Sequence, residues 1–66
     1  MYLQRALASL PRRQREAIVR HYYLELDVRE VAETMRAPEG TVKSLLSRAR
    51  KHLAAALGVT DMEEVD

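Results

Sequence analysis

Pro11, Pro38 and Gly58 divide this 66-residue chain into stretches whose apolar residues fall at helical spacing. Proline has no amide hydrogen and fits a helix only in its first turn, so each proline closes one helix and opens the next. Glycine after a periodic run is the usual stop. Leu3, Ala6, Leu7 and Leu10 stand at i, i+3, i+4 and i+7, the stripe of a first helix over residues 2–10. A second helix, residues 12–23, offers Ile18, Val19, Tyr22 and Tyr23 to the core and has an Arg-rich outer face. Asp27 followed by Glu30 has the spacing of a capping box, which predicts a third helix over residues 28–35. Its apolar set is Val28, Val31, Ala32 and Met35. Pro38 and Glu39 begin a fourth helix, residues 38–57, with Val42, Leu46, Ala49, Leu53 and Ala56 on one side.

No segment shows strand-like alternation, so the expected fold class is all-α, a small four-helix domain over residues 1–57. A chain of this length holds one small core. It has no cysteine, which excludes disulfides, thiolate chemistry and Cys-ligated zinc. The longest apolar run falls far short of a membrane span and no secretory leader pattern is present, so the expected location is cytoplasmic. The formal net charge of +1 conceals a division. Residues 36–57 carry Arg36, Lys43, Arg48, Arg50 and Lys51 against Glu39 alone, whereas residues 58–66 carry Asp61, Glu63, Glu64 and Asp66 and no cation. A basic helix is followed by an acidic tail, residues 58–66, expected to be disordered.

The side of the fourth helix opposite its apolar stripe collects Gly40, Lys43, Ser44, Ser47, Arg48 and Lys51, with Thr41 at the edge. Cations suit phosphates and guanine edges, short hydroxyls suit close polar contacts, and no carboxylate is present to repel a nucleic-acid backbone. A solvated face of any helix is polar, but it is ordinarily of mixed sign. A two-turn helix, a short turn and a longer helix with a basic face make a helix-turn-helix, whose second helix lies in the major groove of DNA. Gly40 and the unpaired amides at the start of that helix suit an approaching phosphate.

Residues 6–53, "ALASLPRRQREAIVRHYYLELDVREVAETMRAPEGTVKSLLSRARKHL", resemble region 4 of bacterial RNA polymerase sigma factors of the extracytoplasmic-function type. The resemblance is carried by "LPRRQRE" at Leu10–Glu16, "VAETM" at Val31–Met35 and "EGTVKSLLSRAR" at Glu39–Arg50. It implies recognition of the −35 promoter element through the last helix and docking on the β flap of the RNA polymerase core. Carried across by position, it implies that Lys43, Ser44, Ser47 and Arg48 face the major groove, with Gly40 and Thr41 beside the backbone and Arg29 near phosphate. Lys51 extends the same face. Three residues depart from the family pattern. Leu45 stands where a basic residue is common, and Glu25 where the turn usually has Gly. His21 stands where Arg is usual, which weakens a phosphate contact because histidine is mostly neutral at pH 7.

Two other readings share these residues. The C-terminal helix-turn-helix of a LuxR-type regulator has the same four-helix plan and "TVK" element, but usually Lys where Gly40 stands. A protein-interaction module captured by an anti-sigma factor would use the same surfaces, with Leu45 as a candidate contact. No enzyme, cofactor or metal site is expected, since His21 and His52 lie on different helices without acid partners or Cys. The chain is expected to be a monomer and to be cut from a longer protein.

Overall fold

The computed structural model describes residues 2–58, with side chains from Gln4 onward. They form four α-helices: α1 (Tyr2–Ala8), α2 (Arg12–Ile18), α3 (Val28–Met35) and α4 (Glu39–Leu57). A π-helical turn, Val19–Tyr23, continues α2. No strand occurs among the described residues. The all-α expectation holds. The acidic segment 59–66 and the packing of Leu3 lie outside the described residues and side chains.

α1 ends two residues earlier than its apolar spacing suggests, because the Ser9 hydroxyl and amide both turn back to the Ala6 carbonyl. Leu10 is nevertheless buried, delivered to the core by the turn before Pro11. Arg15 donates to the carbonyls of Ala8 and Leu10, at 3.4 and 3.2 Å, and so satisfies acceptors at the end of α1 that have no helical partner.

α3 has the boundaries that its capping box requires. The Glu30 amide donates to Asp27 Oδ1, and the Asp27 amide donates to Glu30 Oε1, both at 2.8 Å. Such a cap contributes about 1 kcal/mol, a large share for a helix of eight residues. Arg36 ends α3 in the left-handed conformation, φ 56°, with its amide on the Ala32 and Glu33 carbonyls. Pro38 then stands as the N-cap of α4 and Gly58, φ 78°, as its C-cap.

Ala6, Leu10, Ala17, Ile18, Val31, Ala32, Val42, Leu46, Ala49 and Leu53 make a single buried cluster. α4 runs through the middle of it, packing on α1, α2 and α3. Val31 and Val42 are fully buried across the α3–α4 junction, each contributing on the order of 1.5–3 kcal/mol. Small Ala32 lies in the same cluster, as close approach of the two helices requires.

Three expectations need correction. Tyr22 and Tyr23, expected in the core, are 56% and 83% exposed. Both lie on the π turn, where the Leu24 amide donates to Val19 rather than to Arg20. Ala56, expected in the core, is exposed and Ala54 is buried in its place. Ala56 lies past the last core residue of the stripe, Leu53, whereas Ala54 lies beside it. Leu45 is half-buried and packs against the core, so it is a flank residue of the α4 interior rather than an exposed contact.

Candidate nucleic-acid interface

α3, the turn at Arg36–Pro38 and α4 form the helix-turn-helix, and the N-terminal half of α4 buries one side in the core and exposes the other. Val42, Leu46, Ala49 and Leu53 are buried. At about 100° per residue, this turns Gly40, Ser44, Ser47, Arg48 and Lys51 outward. Gly40, Thr41, Lys43, Ser44, Arg48 and Lys51 are all exposed and Ser47 is half-buried. None of their side chains makes a hydrogen bond or ion pair among the described residues. The nearest acid in sequence, Glu39, sits in the first turn.

The start of α4 also has unused donors. Pro38 supplies no side-chain cap, and the first helical bond that reaches back to it comes from Val42. The amides before Val42 therefore keep the partial positive charge of a helix N-terminus. Beside them, a methyl group added at Gly40 would meet no atom within 4 Å, so nothing in the chain itself requires glycine there.

Two of the expected residues lie apart from this face. Arg29 is exposed on the first turn of α3 and its Nε lies 3.8 Å from Glu33 Oε2, a loose pair that an approaching phosphate can displace. His21 sits on the π turn, half-buried, with Nδ1 2.8 Å from the Leu26 carbonyl. A carbonyl only accepts, so Nδ1 carries the hydrogen and, in the neutral ring, Nε2 is an acceptor. Such a ring has nothing to donate to a phosphate. In this position the ring joins the π turn to Leu26, just ahead of the α3 cap.

A second surface has no counterpart among the expected sites. Leu7, Ile18, Val19, Tyr22, Tyr23, Arg50 and Leu53 line an apolar groove of about 370 Å³. The exposed Tyr23 stands at its rim, and Leu24, next in the chain, is also exposed. Arg50 Nη1 donates to the Tyr22 hydroxyl at 3.2 Å, and the Tyr22 ring meets His21 edge-on. The signal for it in the sequence is "HYYLEL", which has more large apolar residues than one helical stripe can bury.

The fold and the face leave the regulator and sigma readings open; comparison with known families separates them. The family model described as Sigma-70, region 4 matches residues 1–53. The chain belongs to that family. It is similar to the ECF RNA polymerase sigma factor SigM of two strains of Mycobacterium tuberculosis, at 43% identity over 56 residues in each case. That alignment covers 85% of this chain and 29% of either relative, so the chain spans less than a third of the length of the proteins it matches. No solved structure matches it. Among the described residues, no helix is long and apolar enough to cross a membrane.

Proposed function

We propose that this sigma region 4 domain recognises the −35 element of promoters and, as part of a longer sigma factor, directs RNA polymerase to initiate transcription. The observation that carries the reading is the outer face of α4, where Lys43, Arg48 and Lys51 project with no internal partner among the described residues. In a helix-turn-helix that face enters the major groove. Lys43, Ser44, Ser47 and Arg48 are assigned to base edges and adjacent phosphates. Gly40 and Thr41 lie at the N-terminus of α4, where amides and dipole favour a phosphate. Arg29, Lys51 and cationic His21 contact the backbone.

The groove beside α4 serves the second half of the function, docking on the β flap of the polymerase core. An apolar concavity edged by exposed Tyr22, Tyr23 and Leu24 is the kind of surface that a partner helix covers. An anti-sigma factor would compete for either surface. The domain acts by binding, as a monomer in the cytoplasm, without a cofactor or chemistry of its own.

Fluorescence anisotropy on a promoter duplex tests the DNA half. Affinity should fall steeply with salt, because released counterions drive phosphate neutralisation. Replacing Lys43 and Arg48 together by Ala should weaken binding by about 1–3 kcal/mol for each base edge that is no longer read. Unchanged affinity in that variant would show that another face binds DNA.

A further inference from the structure

The groove contains one charged group, and that group has no carboxylate partner among the described residues. Arg50 is half-buried beside Leu53, and its one hydrogen bond among the described residues goes to the neutral Tyr22 hydroxyl. Arg12, Arg20 and Arg29 differ: each has a glutamate within 4 Å along its own helical stretch. A guanidinium against an apolar wall has lost part of its hydration, and a carboxylate restores most when it meets the planar fork with two parallel bonds. The Tyr22 hydroxyl can accept from Arg50 and still donate its own hydrogen. Two donors thus converge at one edge of an otherwise apolar groove.

We propose that the groove selects an amphipathic protein segment that sets a Glu or Asp side chain on Arg50 and Tyr22 while its apolar residues cover Val19, Tyr23 and Leu53. The inference rests on the reading of this groove as the docking surface and names the chemistry its partner must bring. The guanidinium supplies specificity and the apolar wall supplies most of the contact area. A partner with an uncharged residue at that position would leave Arg50 covered and unpaired, and a partner with a cation there would be repelled.

Two labelled helical peptides, identical except for Glu or Gln at the position meant to meet Arg50, measure the effect by fluorescence anisotropy on the full chain. The Glu peptide should bind about 5-fold more tightly, as expected for a charge-assisted bond discounted for partial solvent exposure. Arg50→Gln should abolish the difference and let the Gln peptide bind at least as tightly as before, since no charge is then covered without a partner, with circular dichroism confirming the fold. Tyr22→Phe, at an exposed ring, should reduce the preference without abolishing it. Equal binding of both peptides, or a Glu preference that survives Arg50→Gln, would overturn the carboxylate assignment while the docking reading stands. Failure of both peptides to bind would sink the docking reading as well. A Glu preference seen only after removal of residues 59–66 would overturn the assignment to a partner, since it would identify the chain's own acidic segment as the occupant of Arg50.

Discussion

The two stretches most typical of the family, Leu10–Glu16 and Glu39–Arg50, are similarly polar and do opposite things with their polarity. In the first, nearly every polar side chain is answered from within the domain. Arg12 pairs with Glu16, Arg15 closes the end of α1, and buried Gln14 accepts from His52 Nδ1 at 2.6 Å. In the second, Thr41, Lys43, Ser44, Ser47 and Arg48 make no bond among the described residues. A motif's polar residues therefore divide by who satisfies them. Those satisfied by the chain build the fold, and those left to solvent are available to a ligand.

Substitutions in either stretch, or in the core between them, put this division at risk. The largest effect is expected from Leu46→Asp, which places an unpaired charge at a site only 3% exposed. It should cost about 4 kcal/mol or more and unfold the domain in a urea titration, removing both surfaces together. The double change at Lys43 and Arg48 comes next, and it should reduce DNA affinity while the melting temperature stays nearly fixed. Gln14→Ala should show the reverse. Loss of the His52 bond and a small cavity should lower stability by about 1–2 kcal/mol, with the salt slope of DNA binding unchanged. If Gln14→Ala instead altered that slope, the first stretch would belong to the interface. Gly40→Ala is the smallest and the most diagnostic. The helix should gain about 0.5–1 kcal/mol, and a concurrent drop in DNA affinity would mean that the backbone there lies against DNA.

The elements set by local chemistry are legible in the sequence. The Asp27–Glu30 box places the start of α3, and Pro38 and Gly58 bound α4, because caps and prolines act within a few residues. The outward face of α4 follows from its period. What the sequence hides depends on distant partners or on a change of period. The π turn has no composition of its own, and Tyr22 and Tyr23, which lie on it, stand at the groove and not in the expected core. The Arg50–Tyr22 and His52–Gln14 bonds join residues 28 and 38 positions apart. By sequence alone Arg50 therefore belongs with the other cations of the basic helix, although it lines the groove, and His52 has no visible partner.

Both ends of α3 meet a residue in the left-handed region without being glycine: Glu25, two residues before the cap, at φ 60°, and Arg36 at φ 56°. For a residue with a side chain that conformation costs about 1–2 kcal/mol. The short helix that packs on α4 is thus hung between two sterically disfavoured joints. This gives the domain an adjustable thermal limit that is separate from its specificity. Glu25→Gly should raise the melting temperature, by about 1 kcal/mol of added stability, without touching the DNA face or the groove. Stability can therefore change at that joint while the outer face of α4 keeps its residues.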